Sequence, residues 1–558
     1  MKNLLKILSV ALIVLIIGLT SCKKESGNYN FVPSNATVVM VIDGKTISEK
    51  SGYTTFAESN AYKLFKEELA QDEAETFKIL DPIMNNSVES GLDLKKDIVA
   101  FTFKNEDNNF VGVHFQLTDK AKFEKLLSDV AASNQEEITI GNESSFSFMV
   151  TENQDAPILI WNDKQLLMLG FMDGSQNFEV AKAQAVTLLN QSEKESIHSN
   201  KDFSDFASNK KDMSLWVDYA VLYDNIPGMQ AMMMQSSMPF DMKGVLLHFF
   251  LDFQKGKMVL SYKTILNEEM KSYMKENQII KDKFDLELLD VMPSKSHANF
   301  SMAFDFLAYF NIMKATLEQS QMSIDTYDQE FKNQTGMTIK EALNEFGGEV
   351  VFNVHKVDVR EVEKTDYMAY YQAGGEGNIE DFKKVVTMPV ALYTVAMEMN
   401  NDKLFNILIE KTGGLLVQTG AYYTIQNDDF EGYIGLFGKK LVFTNDKNLI
   451  EQVTDGVYDG ETLAKSEVAD NLKNFPAYGY LDLNMDNYPE GLKTTLVEMM
   501  GADEFDIFTS MMKEYSKLEV KPTSAYEAEM VLWLKDDSRN SLEIMLKSVD
   551  NNIEALAN

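Results

Sequence analysis

The chain is written twice, and that repetition limits what it can fold into more than any single motif does. Pro33-Ser34-Asn35-Ala36 precedes an apolar run ending Ile42-Asp43, and Pro293-Ser294-Lys295-Ser296 precedes one ending Phe304-Asp305. Gly91-Leu92-Asp93-Leu94-Lys95-Lys96 before Ile98-Val99-Ala100-Phe101 returns as Gly336-Met337-Thr338-Ile339-Lys340-Glu341 before Val350-Val351-Phe352. Residues 113–117, followed by Asp119, Lys120 and a helical stretch, return as 395–399 with Asp402 and Lys403. Late in each half, Trp216-Val217-Asp218 with Asn225-Ile226-Pro227 answers Tyr480-Leu481-Asp482 with Asn487-Tyr488-Pro489. Matches that keep one order at a spacing of roughly 260 residues mark a duplication and set boundaries better than composition can. The expected organisation is 1–21 as a signal peptide, 22–30 as a tether, 31–290 as a first repeat unit and 291–558 as a second.

Each unit mixes two periodicities. Val38-Val39-Met40-Val41-Ile42 and the runs flanking Lys255-Gly256 read as strands and a hairpin. Tyr62, Phe65 and Leu69 recur at i, i+3 and i+7 with Lys and Glu between them, the pattern of an amphipathic helix. Helices interleaved with many hairpins predict an α+β fold, two homologous units of largely antiparallel sheet with packed helices.

The N-terminus sets the compartment. Lys2 and Lys6 precede an apolar run over 7–17, and Gly18-Leu19-Thr20-Ser21 stands directly before Cys22. These are the parts of a signal peptide, and the run is far short of the ~20 residues a spanning helix needs. Cys22 is the single cysteine of 558 residues, so an exported chain of this kind has no thiol for disulfide, metal or catalysis. Leu19-Thr20-Ser21-Cys22 resembles the lipobox of bacterial lipoproteins, which implies cleavage after Ser21 and lipidation of Cys22. Lys23, where inner-membrane retention would want an acidic residue, favours by the same resemblance the outer membrane. Whether the protein faces the periplasm or the cell surface stays open.

Charge and motifs exclude several kinds of chemistry. Lys+Arg 52 against Asp+Glu 86 gives a net charge of −34, a field that repels phosphate backbones and removes nucleic acid as a partner. Asp482-x-Asn484-x-Asp486 opens like a calcium loop but has Asn487 where glycine is needed and Lys493 where a bidentate glutamate is needed. His114, His198, His248, His297 and His355 are too scattered for zinc spacing. No metal, no cofactor and no catalytic residue is expected. The insertion around Gly374-Gly375-Glu376-Gly377 occurs only in the second half and reads as a flexible loop.

The remaining candidates are methionines, 32 in all. Met229, Met232, Met233, Met234, Met238 and Met242 follow Pro227, with an echo at Met499, Met500, Met511 and Met512 after Pro489. Flexible thioethers fill irregular cores or build adaptable apolar surfaces. Three consecutive residues cannot share one narrow helical face, so Met232, Met233, Met234, Met499 and Met500 are the candidates for an apolar binding surface.

The lipobox, the Pro-x-x-Ala before a strand ending in Asp, and Gly-Met-Thr-Ile-Lys leading to Phe346-Gly347-Gly348-Glu349-Val350 resemble a domain-of-unknown-function family of Bacteroidetes outer-membrane lipoproteins. The resemblance spans essentially the whole mature chain and implies no reaction and no catalytic residues. The expected function is that of a lipid-anchored cell-envelope protein acting by binding or scaffolding, not an enzyme. Its expected partners are the membrane, through the lipid, and an envelope protein or hydrophobic ligand. Two rival expectations are a carrier holding a lipid or hydrophobic peptide in a Met-rich groove and a hydrolase assembled from distant Asp, Glu and His residues.

Overall fold

A computed structural model describes residues 28–557 apart from 54–57, 61, 64–80, 83–85, 107, 134–137, 152–156, 173–176, 220–241, 320–322, 375–376, 413, 428–429 and 457–459. Cys22, Phe65, Leu69, Met232, Met233 and Met234 lie outside the described residues. The α+β class is observed: helices accompany large antiparallel sheets.

Strand alternation builds the first unit. In β1 (Ala36–Asp43), Val39 and Val41 are buried while Val38 and Met40 sit on the other, half-covered face, as a period of two requires. Asp43 then ends the strand by accepting a hydrogen bond from Thr46 N at 3.0 Å, which starts the helix Gly44–Ser51. Asp305 repeats the device: its carboxylate accepts from Ala308 N at 2.8 Å at the start of the helix Phe306–Gln319. The Asp that closes the first apolar run of each half is thus an N-cap, supplying an acceptor for N–H groups that have no intrahelical partner.

The other strands of the first half are β2 (Asp97–Asn105), β3 (Asn108–Gln116), β4 (Ile138–Glu143), β5 (Phe146–Thr151), β6 (Ile158–Trp161), β7 (Gln165–Phe171), β8 (Met213–Asp218), β9 (Leu246–Gln254) and β10 (Lys257–Ile265). They lie in the antiparallel order β7–β3–β2–β1–β8–β9–β10, with β4–β5–β6 joined to β7 through β6. The second half has β11 (Ala298–Ala303), β12 (Phe346–Thr365), β13 (Lys383–Met399), β14 (Leu416–Thr419), β15 (Tyr422–Asn427), β16 (Phe430–Phe437), β17 (Lys440–Thr444), β18 (Ala477–Asp482), β19 (Tyr515–Ser524) and β20 (Glu527–Leu534). Their order is β17–β13–β12–β11–β18–β19–β20, with β14–β15–β16 joined to β17 through β16. One strand order therefore occurs twice, position for position.

The compact units do not follow the chain end to end. The first holds the described residues up to 219, 242–267 and 534–557, and the second holds 268–533. The expected boundary at 290 differs from this division at two places. Residues 268–290 pack in the second unit, where Phe284, Leu288 and Leu289 join its core. The last helix, Ser541–Ala557, packs in the first, where Leu542, Met545 and Leu546 meet Ile47, Phe253 and Leu251. Among the described residues no helix is long and apolar enough to cross a membrane.

Two differences set the second unit apart. The β2–β3 hairpin of the first unit has nine residues in each strand, whereas β12 has 20 and β13 has 17. Pairing continues from Lys356↔Leu392 to Thr365↔Lys383, so the hairpin extends as an arm. The second difference is chemical. In the first unit a buried cross-strand row runs Phe103↔Phe110↔Phe171, with ring centroids 5.1 and 4.8 Å apart. In the second the corresponding strands carry Asn353↔Thr394↔Thr444.

Candidate functional site

That polar row leads to a cavity. Asn353 donates through Nδ2 to the Pro293 carbonyl at 3.0 Å, and Thr394 Oγ1 donates to Thr444 Oγ1 at 3.0 Å, so the row satisfies itself and holds the segment that enters β11. Beyond it lies a space of about 660 Å³ walled by residues that include Lys295, His297, His355, Lys356, Asp446 and Tyr488. The register of β12 against β13 shifts between Val354 and Lys356, which leaves His355 as the irregular residue. A bulge of this kind re-aims a side chain. His297 N donates to the Val354 carbonyl at 2.7 Å and brings the second imidazole to the same end of the sheet.

Each histidine meets an aspartate. His355 Nε2 lies 3.0 Å from Asp446 Oδ2. Asp446 also caps the helix Lys447–Asp455 by accepting from Asn448 N at 3.1 Å and Leu449 N at 3.4 Å. Burial opposes its charge, but the His355 contact and the cap bonds together hold the Asp446 carboxyl below its ordinary range. His297 Nδ1 stands 3.6 Å from Asp482 Oδ2, too long for a hydrogen bond. Burial keeps this imidazole below its ordinary value despite the nearby carboxylate. Tyr488 stacks on His297 with centroids 4.4 Å apart and donates its hydroxyl to the Asp482 carbonyl at 2.8 Å.

The motif at 482–486 finds its use here. Asp482 accepts from Asn484 N at 2.9 Å and from Asn487 Nδ2 at 2.7 Å, so the polar positions form a tight turn that presents Tyr488. Among the described residues no group of three or more His, Cys, Asp or Glu side chains could hold a metal ion. Nor is there a Ser, Thr or Cys in the described cavity wall to act as a nucleophile.

The candidate methionines lie on a different surface of the same unit. The helix Glu490–Met500 starts after Pro489, which itself lines the cavity. It rests on the arm at Gly491, where a Cβ would come within 2.6 Å of the Val359 side chain, a close approach that glycine permits. Met499 is 77% exposed and Met500 is also exposed. At the end of the arm the helix Tyr367–Gln372 presents Met368 at 73% and Tyr371 at 70% exposure, beside exposed Tyr367 and Ile379. Tyr370 anchors this end by packing edge-on to Tyr371 and Phe382. Sequence reasoning singled out Met499 and Met500 but missed the arm end, which it read as a loop. The available signal was the long alternating run on either side of the insertion. It also dismissed His297 and His355 on spacing, although antiparallel pairing brings residues far apart in sequence side by side.

The family described as Domain of unknown function (DUF4836) matches residues 28–542, and the chain belongs to that family. Among solved structures, crystal form IV of TP0453 is 10% identical over 43% of this chain and 81% of that one, with a TM-score of 0.23. Crystal form III of TP0453 is 8% identical over 47% and 91%, with a TM-score of 0.24. Likeness at that level establishes no common fold. No curated protein matches the chain.

Proposed function

We propose that this DUF4836 protein is a lipid-anchored component of the cell envelope, held at the outer membrane of a Bacteroidetes cell, that acts by binding or scaffolding and not by catalysis. The anchor is Cys22, supported by the signal-like residues before it and by the lack of any other cysteine. Two homologous units from one duplication account for the shared strand order and for the paired N-caps Asp43 and Asp305. The observation that carries the binding role is the end of the arm. Tyr367, Met368 and Tyr371 stand exposed on a helix of six residues, a concentration of apolar surface that a freely solvated element has no reason to keep. Met499 adds a second adaptable thioether on the helix that lies along the arm.

The test is a photo-crosslinking residue at Met368 or Tyr371 in the native membrane. One adduct of constant mass at both positions, absent when the residue replaces exposed Tyr262 of the first unit, supports the reading. No adduct at either arm position overturns it. Cys22→Ser tests the anchor separately: the variant is expected to leave the membrane on carbonate washing, and a variant that stays bound refutes lipidation at that residue. A second reading, a hydrolase built from distant residues, draws on His297 and Asp482 meeting at one cavity. It requires that His297→Gln abolish an activity measurable in the wild type.

A further inference from the structure

The cavity at the end of the second sheet has a charge balance unlike that of the chain around it. The protein carries −34 overall, yet the described cavity wall contains two lysines, Lys295 and Lys356, and a single carboxylate, Asp446. That carboxylate is already occupied by His355 Nε2 and by two backbone N–H groups of the helix it caps. Asp482, behind His297, is likewise taken up by Asn484 and Asn487. The acceptors of the site are therefore consumed within the protein, and what remains unspent is donors. Lys295 is exposed and makes no ion pair with any described residue, and Lys356 is held only by Asp358 at 3.5 Å on the rim.

A second observation comes from the wall itself. His297 and His355 are each more than nine-tenths buried, and the Nδ1 atom of each has no hydrogen-bond partner. Unpaired buried polar atoms are rare, because each forgoes the hydrogen bonds that water would give. A wall that retains two of them is arranged for something other than its own stability. The stacked rings of His297 and Tyr488, with Val357 and Leu449 nearby, add a flat and partly apolar surface. A space of about 660 Å³ is within the range that small ligands occupy.

We propose that this cavity binds a small ligand bearing an oxyanion, a carboxylate or a phosphate ester, with Lys295 and Lys356 as its charge partners and Tyr488 stacked on His297 as the wall for its body. Charge-assisted hydrogen bonds from lysine to an oxyanion are stronger than neutral ones, and the absence of a free carboxylate in the described wall removes the repulsion that the rest of the surface would impose. The site is independent of the arm end, so either assignment can fail without the other.

Calorimetric titration of the full chain with phenyl phosphate, benzoate and uncharged benzamide tests the proposal. Saturable binding of phenyl phosphate or benzoate, with benzamide at least about tenfold weaker, is the expected result, and the stronger of the two anions identifies the head group. Lys295→Glu with Lys356→Glu should abolish that binding, whereas Lys125→Glu, on an exposed helix of the first unit, should leave it intact. Both cavity lysines are exposed, so the double variant is expected to fold, as circular dichroism would verify. Equal binding of benzamide, no saturable binding of either anion, or binding that survives the double charge reversal overturns the proposal.

Discussion

The two units share a strand order and differ in what fills the same end of the sheet. In the first, Phe103, Phe110 and Phe171 close that end with stacked rings, and Phe101, Phe203 and Trp216 continue the packing inward. In the second, Asn353, Thr394 and Thr444 occupy the matching strands and leave room for the cavity and for an arm. Backbone pairing is indifferent to the choice, because ladder hydrogen bonds do not involve side chains. A framework can thus be kept twice while one copy is packed shut and the other is opened, and the difference lies in a handful of inward-facing residues.

The largest expected effect breaks the closed side of this comparison. Phe110→Ala removes a ring that is 1% exposed and stacked between two others, and it should cost about 3–5 kcal/mol in denaturant unfolding followed by the first unit's tryptophan signal. A loss well below that range would mean the row is not a packed plug. On the open side, Asp446→Ala should cost about 1–2 kcal/mol, because it removes an N-cap and strands His355, while Asp446→Asn should recover part of it. Thr394→Ala, which deletes only the bond to Thr444, should cost about 0.5–1.5 kcal/mol.

The pH dependence of the two units should run in opposite directions. Burial pushes His114 of the first unit from 6.5 down to about 3, against a smaller opposing effect of its Gln165 contact. Between those values the unfolded chain binds the extra proton, so the contribution of His114 to stability falls as pH drops from 6.5 towards 3. Glu349 of the second unit is raised from 4.5 to about 7, first by burial and then by its hydrogen bond with Glu398. There the folded state holds the proton, so its contribution falls as pH rises from 4.5 to 7. Unfolding midpoints across that window should lose their acid-side decline in His114→Gln and their neutral-side decline in Glu349→Gln. Unchanged slopes would contradict the assignments. The smallest effect belongs to the arm: Met499→Ser should move stability by no more than about 0.5 kcal/mol, as expected of an exposed position.

Local signals were legible in the sequence where local chemistry decides. Alternation found the strands, and the Asp at the end of each first strand marked a helix start because capping needs only a few neighbouring residues. Register was harder. The sequence matched Trp216 with Tyr480, but Trp216 lies opposite Val39, four residues before Asp43, while Tyr478 lies opposite Ser301, four residues before Asp305. A shift of two keeps every side chain on its own face, so the pattern alone gives no penalty for it. The cavity was illegible for another reason: His297 and His355 come together only through a β11–β12 pairing and an irregularity in β12, neither of which has a short-range mark. The crossing of the last helix into the first unit is likewise a matter of packing, since Leu542 and Met545 would suit either core by composition.

The central claim, that the arm of the second unit is a binding surface, is tested most directly by thiol protection. Cys22 is the single native cysteine, so Met368→Cys introduces the only other thiol. Its rate of maleimide labelling should be high in the detergent-purified protein and strongly reduced in intact envelopes, where a partner covers the arm end. Met172→Cys, at a 60% exposed position of the first unit, should label at one rate in both preparations. Equal labelling of Met368→Cys in envelopes and in solution would contradict the claim.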